Sequence, residues 1–214
     1  MIFRFGVFIM LLAVVSCKEF IPINETSINT HNYLIDFPAF SKDSLVNIVI
    51  EIPAGTDQKW EVNKTTGHLE WERINKDSLR IIKFLPYPAN YGFIPKTLLP
   101  KELGGDGDPL DVFLLGPAID RGNIIPSQII GVIKMLDKGE QDDKLIAVSS
   151  GSPFSHIKSL EQLIEEFPGV IEVLKSWLSN YKGEGSIEIV AVENKESAIF
   201  LLQTAIEGFQ KKAN

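Results

Sequence analysis

The chain has 214 residues, 44% of them hydrophobic and 23% charged, an ordinary globular composition long enough for one good-sized core. A net charge of −7 with no basic block argues against nucleic acid as a partner, because a phosphate backbone needs a clustered basic face. The single cysteine rules out an internal disulfide, so stability must come from the core and from any bound metal.

At the N-terminus, "MIFRFGVFIMLLAVVSC" carries Arg4 and then an apolar stretch ending in small residues. That stretch, about eleven residues, suits a signal-peptide core and falls short of the roughly 20 residues of a spanning helix. No A-x-A-like site follows; instead Cys17 comes directly after Ser16. The pattern resembles a bacterial lipoprotein signal, in which lipid joins the cysteine and the chain is cut before it. A cysteine at the end of an ordinary signal or anchor is the alternative. The first reading implies removal of residues 1–16, export, and attachment to a bacterial membrane only through lipid on Cys17. Residues 17–42 mix Asn, Thr, Ser and Pro without a sustained period and read as a tether with a short arm, leaving 43–214 as the domain.

From Leu45 the pattern changes. "LVNIVIEIP" is a β-branched run, "KWEVNKTTGHLEWERI" reads as two strands around a Thr-Gly turn, and "SLRIIKFL", "DVFLLG", "SQIIGVIKML" and "KLIAVS" are further strands bounded by Gly, Pro or Asp. Helices follow: "SLEQLIEEF" opens with a Ser159–Gln162 capping-box pattern, Pro168 suits the first turn of a helix to about Tyr181, and Asn194 can cap a closing helix after the strand "SIEIVAVE". Strands first and helices afterwards give an α+β fold, a closed sheet with helices outside.

"GGDGDPLDVF" places Asp106, Asp108 and Asp111 within six residues beside Gly104, Gly105 and Gly107. A solvated loop is the plain alternative, but Asp111 runs into an apolar strand, a poor place for an unpaired carboxylate. An EF-hand fails, because loop positions five, six and twelve are Leu110, Asp111 and Pro117. Oxygen donors without nearby His or Cys point to a hard cation rather than zinc. His31, His68 and His156 are scattered and read as surface or hydrogen-bonding residues rather than ligands. Other polar residues interrupt the strand segments: Glu51, Lys59, Glu61 and Arg73, then Tyr87 and Tyr91 in "PYPANYGFIP", Asp137, Asp142 and Lys144 in "MLDKGEQDDKLIAV", and Tyr181 and Lys182 in "NYKGE". Carboxylates with Lys, Arg and Tyr suit a metal-bound polyanion.

"VIEIPAG", "KWEV", "YPANYGFIP", "GDGDPLDV", "GVIKMLDKGEQDDKLIAV" and "YKGE", in this order over roughly residues 45–193, resemble the family I soluble inorganic pyrophosphatases. The resemblance implies a small, distorted five-stranded β-barrel (OB-like) with flanking C-terminal helices, and hydrolysis of inorganic pyrophosphate with several Mg2+ ions per site. It implies Asp106, Asp111, Asp137, Asp142 and Glu51 as metal ligands, Asp108 as general base, and Glu61 in support at the rim. Lys59, Arg73, Tyr87, Tyr91, Lys144, Tyr181 and Lys182 would grip the two phosphates. A homo-oligomer is expected, of a size the sequence leaves open. A cation- or phosphate-binding module would use the same pocket without turnover; Asp108, a carboxylate spare to the ligand set, favours the hydrolase.

Overall fold

The computed structural model describes residues 26–100, 104–105 and 107–213. The expected signal, Cys17 and Asp106 lie outside the described residues.

Five strands close into a ring. β2 (Val46–Ile52) pairs antiparallel with β7 (Asn90–Phe93), and β7 with β8 (Asp111–Leu115). β8 runs parallel to β11 (Lys144–Ser149), which pairs antiparallel with the 14-residue β9 (Ile124–Asp137). β9 then returns to β2, Val46 opposite Ser127, which closes the ring. This is the five-stranded barrel expected from the sequence. A bulge in the β9–β11 pairing at Ile146/Ala147 and another in β2–β7 beside Glu51 supply the local bending that closure needs. Gly92 is required where β7 meets β2: a Cβ built there would lie 1.8 Å from the Val49 carbonyl oxygen. The far half of β9 also carries β10 (Glu140–Gln141) and β12 (Ile187–Glu193).

Alternation along the strands produces two apolar faces. Ile48, Ile50, Val112, Leu114, Leu145 and Ala147 pack with Ala198, Leu202 and Ala205 of α3 (Lys195–Ala213), whose first turn is capped by Asn194 Oδ1 accepting from Ser197 N–H. Phe93, Phe113, Ile133, Ile146 and Val148 form the other core with Leu174, Trp177 and Leu178 of α2 (Val170–Tyr181). Asp111 and Lys144 belong to this second face, being in step with Phe113 and Ile146.

A smaller sheet lies alongside, ordered β1 (Ser27–Ile28), β4 (Leu69–Trp71), β3 (Trp60–Val62). Its β3–β4 turn is the one anticipated around Thr66 and Gly67, with Asn63 Oδ1 accepting from Thr65 and Thr66 N–H. The described part of the N-terminal arm packs on the domain: β1 pairs with β4, Tyr33 is 2% exposed, and Tyr33 N–H donates to Gly67 O.

The segment "SLRIIKFL" forms much less strand than its β-branched run suggested. Ser78–Leu79 (β6) pairs only with β5 (Arg73–Asn75), and a single bridge joins Ile81 to Gln58. Ile81, Phe84 and Leu85 are exposed, and of the run's apolar residues only Ile82 is buried in the core. In α1 (Leu160–Glu166) Ser159 Oγ accepts from Gln162 N–H as expected, but Gln162 Oε1 reaches back to Lys158 N–H rather than to the cap itself. Pro168 lies before α2, not in its first turn, because Gly169 at φ +96° takes the cap position and the helix starts at Val170.

Candidate active site

The parallel register sets Lys144 directly beside Asp111 on neighbouring strands. Lys144, 2% exposed, donates to both Asp111 Oδ2 and Asp142 Oδ1, so one ammonium joins two carboxylates. Burial alone would lower its proton affinity, but Asp111 and Asp142 outweigh that and hold it above the ordinary lysine value. Tyr91 adds its hydroxyl to the same carboxylate, 2.6 Å from Asp111 Oδ2. Burial keeps the phenols of Tyr87 and Tyr91 well above their ordinary values, so both remain neutral donors. Burial also raises the Asp142 carboxyl, against the pull of Lys144.

At the end of β9, Asp137 Oδ2 accepts from Lys182, while Asp137 Oδ1 is buried with no hydrogen-bond partner among the described residues. Lys182 follows α2, whose aromatic column fixes this edge. Trp177 stacks on Tyr181 at 4.3 Å and 10°, meets Tyr87 at 4.4 Å, and donates its indole N–H to Leu85 O at 2.8 Å. Tyr87 and Tyr91 are 5.2 Å apart, and the Nζ atoms of Lys59 and Lys144 each lie 5.8 Å from the Tyr91 ring centroid.

Glu51, 3% exposed, accepts from Val62 N–H at 2.7 Å across to β3. Burial, countered by Lys59 and reinforced by Asp111, pushes its carboxyl up to about 8. A cavity of about 410 Å³ opens beside it, lined by Glu51, Lys59, Glu61, Lys64, Asp108 and Asp111. Asp108 forms an ion pair with Lys64 at its edge. Glu51, Lys59, Glu61, Asp108 and Asp111 line this cavity, and contacts link Asp111 to Tyr91, Tyr87, Lys144 and Asp142 and, through Trp177 and Tyr181, to Lys182 and Asp137; Asp106 lies outside the described residues.

Arg73 is the member the structure does not bring there. It sits on the exposed β5–β6 hairpin, where among the described residues its guanidinium donates to Lys76 O, at 3.3 Å. Arg80, seven residues on, occupies the neighbourhood instead. Its carbonyl accepts from Lys59 N–H at 3.1 Å, and its Nη1 donates to both Glu72 carboxylate oxygens, at 2.9 and 2.8 Å. Burial opposes its charge, but Glu72, Tyr181 and Tyr87 together raise its proton affinity. The sequence signal was an arginine between Leu79 and Ile81, an isolated charge in an apolar run. Two other residues escaped the sequence reading. Trp177 is one; Arg121 is the second, with Nε donating to Glu51 O at 2.7 Å and its guanidinium 4.0 Å over the Trp60 ring, pinning β2 to β3.

No group of three His, Cys, Asp or Glu residues is drawn together as a ready ligand set among the described residues. The donor chemistry nevertheless fits a hard cation. Asp111, Asp142 and Asp137 are gathered on positive charge, and the partnerless Asp137 Oδ1 has an acceptor position to fill.

A family model described as inorganic pyrophosphatase matches residues 48–210. The inorganic pyrophosphatase of Helicobacter pylori is 33% identical over 175 residues, covering 78% of this chain and 92% of that one. The soluble inorganic pyrophosphatase of Oryza sativa subsp. indica is 34% identical over 158 residues, covering 73% and 64%. Among solved structures, the Schistosoma japonicum inorganic pyrophosphatase superposes with a TM-score of 0.78 at 26% identity, covering 84% of this chain and 71% of that one. The Neisseria gonorrhoeae enzyme gives 0.67 at 28% identity, covering 83% and 99%. The barrel, its cluster of paired carboxylates and ammonium groups, and these likenesses lead to one conclusion: the chain belongs to the inorganic pyrophosphatase family and is a hydrolase of inorganic pyrophosphate.

Proposed function

We propose that this hydrolysis depends on magnesium and proceeds by attack of a water on one phosphorus, with Asp108 as general base. The observation that carries the reading is the Asp111–Lys144–Asp142 arrangement beside Asp137 and Lys182, in which acidic and basic groups alternate around one cleft. Asp106, Asp111, Asp137, Asp142 and Glu51 would hold the metal. Magnesium, when bound, acidifies the attacking water and neutralises phosphate charge. Asp108 accepts a proton from the water as its oxygen bonds to phosphorus and the bridging P–O bond breaks, releasing two phosphates. Lys59, Lys144, Lys182 and Arg80 neutralise charge on the leaving phosphate, and the hydroxyls of Tyr87, Tyr91 and Tyr181 donate hydrogen bonds to it. Arg80 takes the role that the sequence suggested for Arg73, and Glu61 supports the rim.

The lipoprotein-type pattern before Cys17 supports a location outside the cytoplasm, with the enzyme held to a bacterial membrane by lipid. Mass spectrometry of the native protein should then find acylated Cys17 as the first residue; an intact 1–16 segment would rule this out. The catalytic reading is tested by phosphate release from pyrophosphate with magnesium and with excess chelator. Activity confined to the magnesium sample is expected, and full activity in chelator would overturn it. Tight metal and phosphate binding without turnover would favour a binding module.

A further inference from the structure

We propose that Asp143 is a positioning residue that sets the two metal-bearing segments from the reverse side of the sheet, a role that rests on the magnesium-dependent reading above. Along residues 141–144 the side chains alternate. Asp142 and Lys144 pair toward the site, whereas Gln141 and Asp143 pair on the other side, with Gln141 Nε2 donating to Asp143 Oδ2 at 2.7 Å. Asp143 is 7% exposed and uses both oxygens: Oδ1 accepts from Met135 N–H at 3.1 Å, and Oδ2 also accepts from the Lys134 ammonium.

The strand pairing explains why a side chain is needed. β10 ends at Gln141 and β11 begins at Lys144, so the ladder to β9 is interrupted at residues 142–143. There the Met135 peptide is held on both sides, its N–H by the Asp143 carboxylate and its carbonyl by Asp142 N–H at 3.0 Å. Met135 is two residues before Asp137 on the same strand. Asp143 thereby braces the offset between Asp137 and Asp142 together with the main-chain bond from Asp142 N–H to Met135 O, where the regular strand ladder is interrupted. Its second arm reaches the aspartate loop through Gln141. Gly104, at φ +86°, approaches Gln141 so closely that an added Cβ would lie 2.9 Å from Oε1. A narrow cleft between the two segments is lined by Gly105, Asp108, Asp111, Gln141, Asp142 and Asp143. One buried carboxylate braces both sources of metal ligands, as outer partners orient ligands in metal sites generally.

Calorimetric titration of the whole protein with magnesium tests this, with melting temperature in chelator measured in parallel. Asp143→Ala should weaken magnesium affinity by roughly 10- to 10²-fold. Asp143→Asn, which keeps an acceptor for Met135 N–H, should lose less. Gln141→Ala should weaken affinity while leaving the chelator melting temperature unchanged, and each variant should recover turnover at saturating magnesium. Affinity unchanged in Asp143→Asn and Gln141→Ala would overturn the proposal and leave Asp143 as a fold-stabilising ion pair; these two variants decide the matter if Asp143→Ala does not fold. If the unaltered protein binds no magnesium, the metal-dependent reading itself fails and takes this role with it.

Discussion

Replacing Glu51 by Gln isolates the energetic cost of a carboxylate buried in the wall of the site. Its proton affinity rises from an ordinary value of 4.5 to about 8, with burial the leading cause. A carboxyl whose folded value exceeds its unfolded one stays protonated longer in the native state, so ionisation opposes folding as pH climbs between the two values. The penalty is absent below about pH 4.5, grows by about 1.4 kcal/mol per pH unit, and levels off above about pH 8, for an upper figure of about 5 kcal/mol. Gln keeps an oxygen for Val62 N–H and cannot ionise. In chelator, the variant's stability advantage should therefore widen by about 3 kcal/mol between about pH 5.5 and about pH 8.5, read from urea midpoints at constant slope. Excess magnesium should reverse the order at the higher pH, because the cation stabilises the ionised native protein. A difference that stays flat with pH would refute the reasoning, since Glu51 would then ionise alike in the folded and unfolded chain.

Asp108→Asn should lower turnover by roughly 10²- to 10⁴-fold with magnesium binding near normal by calorimetry, while the exposed Asp120→Asn changes neither; full rescue of Asp108→Asn by added metal would remove Asp108 from the role of base. Arg80→Gln should reduce kcat/KM by roughly 10- to 10²-fold, the loss of one charged hydrogen bond, and Arg73→Gln should leave it near normal. The opposite ranking in steady-state assays would return the phosphate contact to the hairpin. Gly92→Ala should destabilise the protein by about 3 kcal/mol or more, since the new methyl group meets backbone at Val49 rather than a movable side chain; an unchanged melting temperature would show that β7 can move off β2.

The strands most legible in the sequence are those buried along their whole length. Val46–Ile52 and Lys144–Ser149 are mostly β-branched or apolar because no part of either faces solvent, and their buried exceptions, Glu51 and Lys144, belong to the site. β7 is illegible because Asn90 and Gly92, which carry little strand propensity, break up a segment that pairing with β2 and β8 places. The N-terminal arm reads as tether because its contacts are few and specific: buried Tyr33 and Ala39, and main-chain bonds that composition does not encode. The acidic and basic residues were found by motif, but motif spacing assumes a fixed path. The β5–β6 hairpin takes up seven residues between Glu72 and Arg80, so the arginine nearest in sequence points to solvent and the later one returns beside Lys59. Asp143 was passed over for a related reason, since adjacent aspartates look equivalent until the strands decide which side each one faces.

Closure of the ring by β9 has a kinetic consequence. The contacts that define the cleft join distant parts of the chain: Lys144 to Asp111 across 33 residues, Lys182 to Asp137 across 45, and Arg121 to Glu51 across 70. Such separations make folding slow relative to helical proteins of similar size, because chain entropy is lost before these contacts can form. Neither the β3–β4 hairpin nor α2 alone contains the Asp111–Lys144–Asp142 cluster, whose members come from β8, the segment before β11 and β11 itself. During refolding, secondary structure will be recovered before the ability to turn over substrate, and the return of activity will time the moment at which the two ends of β9 find their partners.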